Sequence, residues 1–132
     1  MKRLLLACFL LTAACAPMLY SVQATAHPVA ATPVTQADFT AKVNLMDAQI
    51  GAGNITAAQA TWNEIHQMML AVLATTKYSI RDAATPAAKD SYMAIMNNQT
   101  TIYYAIWALK TDLATNKVAI HTKLGEFNAT IY

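Results

Sequence analysis

Apolar residues recur along most of this chain at alternating steps of three and four, the spacing that puts them on one side of an α-helix. Phe39, Val43, Met46 and Ile50 form the first such stripe, and Gly51-Ala52-Gly53-Asn54 closes it. Thr35 and Asp38 are spaced as a capping box, so a helix is predicted over about 35 to 51. Trp62, Ile65, Met69 and Val72 continue the pattern after Thr56 and Gln59, again spaced as a capping box, and this second helix is expected to run to about Asp82. Thr85-Pro86 marks the next start, because threonine suits the N-cap and proline the first helical position. From there Tyr92, Ile95, Gln99, Ile102, Ile106, Leu109 and Leu113 keep heptad phase. Ile120, Leu124, Phe127 and Ile131 give a last helix over about 116 to 130, which Thr115-Asn116 either caps or merely kinks away from the third.

No strand alternation competes, and the connections are short, so neighbouring helices are expected to be antiparallel. The fold class is all-α: a small antiparallel bundle of four helices, or of three if the last two are continuous. Trp62 and Trp107 each lie about twenty residues from the turn they share, which places them at one level. The short first and last helices attach at that end, leaving a two-helix hairpin near Arg81 to Pro86 to project.

Ahead of the helices, Lys2 and Arg3 precede an apolar run from Leu4 to Ala14, and Ala24-Thr25-Ala26 follows. That is the pattern of a secretory signal peptide cut after Ala26. The predicted organisation is a signal over 1–26, a flexible tether over 27–34 containing two prolines, and a helical domain over 35–132. Localisation is expected to be periplasmic or secreted. The alternative is a lipoprotein anchored to a membrane through Cys15, since Thr12-Ala13-Ala14-Cys15 resembles a lipobox. Cys8 and Cys15 are the two cysteines of the chain and both fall within the signal, so neither a disulfide nor a cysteine-based zinc site is expected in the domain.

Composition narrows the classes further. Hydrophobic residues make up 56% of the 132 and charged ones 12%, which excludes a charge-solvated disordered chain. Of the nine basic residues Lys2 and Arg3 belong to the signal, so the domain has seven against seven acidic. A neutral domain has no electrostatic reason to bind nucleic acid. Gly-x-Gly-x-x-Gly, P-loop, Gly-x-Ser-x-Gly and His-Glu-x-x-His motifs are all missing from the sequence, and no enzyme is expected.

Two candidate sites remain. Met46, His66 and His121 are soft and imidazole ligands that a bundle interior can offer to haem b or copper. Trp62, Tyr103, Tyr104 and Trp107 make an aromatic cluster suited to a small apolar ligand, with Trp62 expected opposite the other three. His27, exposed by the predicted cut, would add an amine and an imidazole for copper. Met93, Met96, Tyr103 and Trp107 widen the apolar face of the third helix beyond what one neighbour covers, so either the bundle surrounds it or a second chain does, as a homodimer.

Three resemblances attach to these residues. In size and signal the chain resembles the periplasmic four-helix b-type cytochromes, which implies Met46 and His121 as haem ligands; the spacing between them is shorter than the family's. Gly53, Asn54, Ala58 and Trp62 resemble the turn and second helix of a tetratricopeptide repeat, although no second copy follows at the repeat's period. Ile55-Thr56-Ala57-Ala58-Gln59 is similar to the LTxxQ motif of small periplasmic stress chaperones, which implies client binding; the motif occurs once here. The expected function is a non-enzymatic binding or structural module of the bacterial cell envelope, whose partner is a protein or a small apolar ligand. The alternatives are a haem- or metal-binding electron-transfer bundle and a chaperone-like client binder.

Overall fold

The computed structural model describes residues 33–132, so the predicted signal, the lipidation alternative at Cys15 and the copper reading of His27 lie outside the described residues. Within them the chain forms α1 (Gln36–Gly51), α2 (Ile55–Asp82), α3 (Pro86–Leu109) and α4 (Lys117–Asn128), with no strand. Each helix packs on the next, and α4 closes the ring on α1. The core is the set of stripes read from the sequence: Phe39, Val43 and Met46, then Trp62, Ile65, Met69 and Val72, then Ile102 and Ile106, then Ile120, Leu124 and Phe127. The rings of Phe39 and Phe127 stack at 5.7 Å, fastening α1 to α4.

Local chemistry explains the boundaries. The Thr35 hydroxyl accepts from the Asp38 N–H at 3.1 Å and donates to the Asp38 carboxylate at 2.7 Å. Gly53 has φ +73° and ends α1: its N–H donates to the Ile50 carbonyl, and the Asn54 N–H donates to the Gln49 carbonyl. This paired arrangement closes a helix on a left-handed residue, a conformation that costs an L side chain about 1–2 kcal/mol. Gly53→Ala is therefore expected to destabilise the fold by about 1 kcal/mol. Urea denaturation checks this, and an unchanged midpoint would show that the turn relaxes.

The start of α2 corrects one expectation. Asn54 is the N-cap, its side-chain oxygen accepting from the Ala57 N–H at 3.2 Å, whereas Thr56 already lies within the helix. Asparagine in the turn reaches the free amides first, so Thr56 and Gln59 form no capping box and both are exposed. Thr85 caps α3 as predicted, accepting from the Ala88 N–H with Pro86 in the first turn.

The third and fourth helices are separate. α3 stops at Leu109, and residues 110–116 form a turn in which the Asp112 carboxylate accepts from both the N–H and the hydroxyl of Thr115. Those bonds hold the Asp112 carboxyl below the ordinary carboxylate range. The Asn116 side chain donates to the Leu109 carbonyl at 2.8 Å, so it ties off α3 and gives α4 no side-chain cap. Leu113 keeps its place in the heptad stripe and is buried, although it belongs to the turn. Periodicity thus reported burial correctly here and the helix end incorrectly, because a turn can carry a plug residue at the same level.

At about 1.5 Å per residue, the 28 residues of α2 outrun the 16 of α1. Between residues 77 and 98 no side chain is fully buried, which is the expected projecting hairpin. Its base is a polar junction. Gln99, fully buried, accepts from the Thr76 hydroxyl at 2.9 Å and donates to the Thr130 carbonyl, while Gln36 donates to the Ile131 carbonyl. Tyr132 then leans on Tyr92 and donates to the Ser79 hydroxyl. Val34, within the segment read as a tether, packs against the core, and with Pro33 it lies beside Val72 and Ile131.

Candidate functional site

Residues one helical turn apart share a face, so His66 and Leu70 stand together on α2, as do Tyr103 and Trp107 on α3. The antiparallel packing of α2 on α3 brings His66 against both Tyr103 and Trp107. His66 Nε2 and the Tyr103 hydroxyl share a hydrogen bond of 2.8 Å. Their rings stack at 5.8 Å, and Trp107 lies 4.8 Å from the imidazole and 6.0 Å from the Tyr103 ring. Tyr104 meets the edge of Tyr103 at 5.5 Å. Burial among these rings, with Tyr104 beside it, pushes the Tyr103 phenol up, so it stays a neutral hydroxyl at physiological pH.

This cluster is open on its outer side. Tyr104 is 65% exposed and Trp107 38%, whereas Trp62 is fully inside. The expected position of Trp62 opposite the other three aromatics is therefore corrected: its ring turns into the core, and His66 takes the place across from Trp107. The ammonium of Lys110 sits over the Trp107 ring, 3.0 Å from its centre. A cation held there is attracted by the negative face of the indole and covers part of a surface that would otherwise meet an arriving ligand.

The proposed metal ligands occupy three different settings. Met46 is fully buried in the core, and His66 is engaged with Tyr103 on the α2–α3 face. His121 is on the exposed side of α4, where its Nδ1 lies 2.5 Å from the Asp47 carboxylate of α1. Each imidazole thus already holds a protein partner. Among the described residues, no three His, Cys, Asp or Glu side chains gather as a metal set.

Sequence reasoning missed Lys110 and Asp47. Lys110 was within reach, since it follows Trp107 by three positions and shares its face. Asp47 was not, because its partner lies 74 residues away and only the closure of α4 on α1 joins them. No helix among the described residues is long and apolar enough to cross a membrane. Comparison of the chain with protein-family models, with curated proteins and with solved structures finds no match.

Proposed function

We propose that this chain is a non-enzymatic binding module of the bacterial cell envelope, and that the open aromatic face of α2 and α3 is its recognition surface. The single observation that carries the reading is the combination of order and exposure at that face. Tyr103 and His66 are locked together by a hydrogen bond and ring stacking, while Trp107 and Tyr104 beside them stay in contact with solvent. A rigid aromatic platform loses little entropy on binding, and exposed Trp and Tyr are the side chains that most often anchor a partner. The imidazole acts here as a rung of the platform, since one of its nitrogens is engaged by the Tyr103 hydroxyl and Trp107 packs against its ring. The chemistry fits a planar or apolar group, on a small molecule or on a partner protein. Export to the envelope is supported by the basic, apolar and small-residue pattern of residues 1–26.

The test is the affinity for a planar apolar probe, N-phenyl-1-naphthylamine, read by its fluorescence. The combined variant Tyr104→Ala with Trp107→Ala is expected to weaken binding about tenfold, as the loss of two stacking anchors implies. Leu45→Ala with Val118→Ala removes apolar side chains exposed elsewhere and is expected to leave binding unchanged. Equal loss in both variants, or loss in neither, would reject the face as the recognition surface. Circular dichroism confirms that each variant keeps its helices.

A further inference from the structure

The ammonium of Lys110 sits 3.0 Å from the centre of the Trp107 ring, at the end of α3. Its place follows from the helix: Lys110 comes three residues after Trp107 and stands on the same face. What is missing there is a counter-charge. Of the seven acidic side chains, Asp47, Glu64, Asp82 and Glu126 pair with His121, Lys42, Arg81 and Lys123. Asp38 and Asp112 are engaged by Thr35 and Thr115. Asp90 lies twenty residues before Lys110, roughly 30 Å away along α3. Burial keeps the Tyr103 phenol neutral at physiological pH, so it adds no negative charge. Among the described residues Lys110 thus has an indole for a partner and no carboxylate.

The aromatic face therefore treats planar ligands differently according to charge. A neutral ring that stacks on Trp107 has to share the indole with the ammonium, and an aromatic cation is repelled by it. A ring that carries an anionic group recruits the ammonium instead, because a lysine head on its flexible four-carbon stem can turn from the indole to an anion without moving the backbone. Lys110 is itself half-buried, which shields such a pair from part of the solvent that weakens exposed ones.

We infer that the ligand of the aromatic face is a planar aromatic anion, a ring bearing a carboxylate or sulfonate, which stacks on the exposed Tyr104 and Trp107 while its charged group takes the Lys110 ammonium. This rests on the face being the recognition surface and adds the class of ligand that it selects. His66, bonded to Tyr103 and packed on Trp107, backs the platform and leaves Lys110 as the residue that sets the charge preference.

The test uses two fluorescent probes with the same rings: N-phenyl-1-naphthylamine, which is neutral, and anilinonaphthalene sulfonate, the same molecule with one sulfonate added. Their dissociation constants are measured for the purified protein and for Lys110→Met, which keeps the apolar stem and removes the charge. Lys110→Met is expected to weaken the sulfonate about fivefold, the worth of one partly shielded charge-assisted contact. The neutral probe is expected to stay within about twofold or to bind more tightly, since the indole is uncovered. Lys110→Glu is expected to weaken the sulfonate more than about tenfold by repulsion. Lys123→Met, on α4 where Lys123 already pairs with Glu126, is expected to change neither probe. Raising the salt to about 0.5 M is expected to shrink the effect of Lys110→Met on the sulfonate. Circular dichroism confirms that each variant keeps its helices.

The anion preference is refuted if Lys110→Met weakens the sulfonate no more than Lys123→Met does. It is refuted as well if Lys110→Met weakens both probes alike, which makes Lys110 a support for Trp107 and nothing more. Either result leaves the aromatic face standing as long as Tyr104→Ala with Trp107→Ala weakens the neutral probe. If that double variant binds both probes undiminished, the face itself is rejected and the ligand class with it.

Discussion

Trp62→Ala is expected to cost about 3–5 kcal/mol of folding stability, and Trp107→Ala less than about 1 kcal/mol. The chain has two tryptophans, and their sequence settings look alike, each part of an apolar stretch of a long helix. Their surroundings differ completely. Trp62 is 2% exposed and packed within the core, so truncation removes a large buried area and leaves a cavity that neighbouring helices fill only in part. Trp107 is 38% exposed and rests on His66, Tyr103 and Lys110, so its removal strips contacts from one side of a surface cluster. Small single domains have only about 5–15 kcal/mol in hand, which makes the first loss large enough to leave the variant partly unfolded at physiological temperature. Chemical denaturation of both variants measures the contrast. Similar costs for the two would mean that Trp107 is part of the core, and the aromatic face would no longer be an open surface.

The second large effect is expected at the base of the hairpin. Gln99 is fully buried with both ends of its amide engaged, by the Thr76 hydroxyl and the Thr130 carbonyl. Gln99→Ala leaves a cavity and removes both partners at once, and about 2–3 kcal/mol is the expected cost. Replacing the pair by matching apolar shapes, Thr76→Val with Gln99→Leu, is expected to cost less than about 1 kcal/mol. The double variant removes the Thr76 hydroxyl together with the Gln99 amide, so neither is left facing an apolar group, and Thr130, partly buried, can turn its carbonyl to water. A double-mutant cycle reads the difference. A double variant as unstable as Gln99→Ala would show that the site needs its polar pair for stability. The expected result gives the pair another task, that of pinning α2 against α3 at the level where α1 and α4 end, as a lone polar residue fixes the register of a coiled coil.

That pair also illustrates what the sequence could and could not tell. Gln99 falls in the heptad stripe, so its burial was legible, but its partner was not, because periodicity assigns a face and not a contact. The same holds through the fold. The apolar stripes, the Thr85-Pro86 start and the Gly53 stop were readable because each depends on chemistry within a few residues. The Asn54 cap, two residues ahead of the predicted one, was decided by competition between neighbouring side chains for the same amides. At the candidate site, Tyr103, Trp107 and His66 were named from their residue types, yet their union into one cluster needed the lateral register of α2 on α3. Trp62 was grouped with them for the same reason, since level along the bundle was predictable and direction around the helix was not. The junction of α1 and α4 left least trace. It includes a hydrogen bond between Asp47 and His121, which the chain brings together only at closure.

The aromatic face is tested most directly by the emission of Trp107 alone, in the Trp62→Phe variant, titrated with N-phenyl-1-naphthylamine. If this face is the recognition surface, acrylamide quenches Trp107 in the free protein, and saturating probe both protects it from acrylamide and drains its emission by energy transfer. If instead the emission of Trp107 and its quenching stay the same while the probe binds, the ligand sits elsewhere and the account of this face as a recognition surface is contradicted.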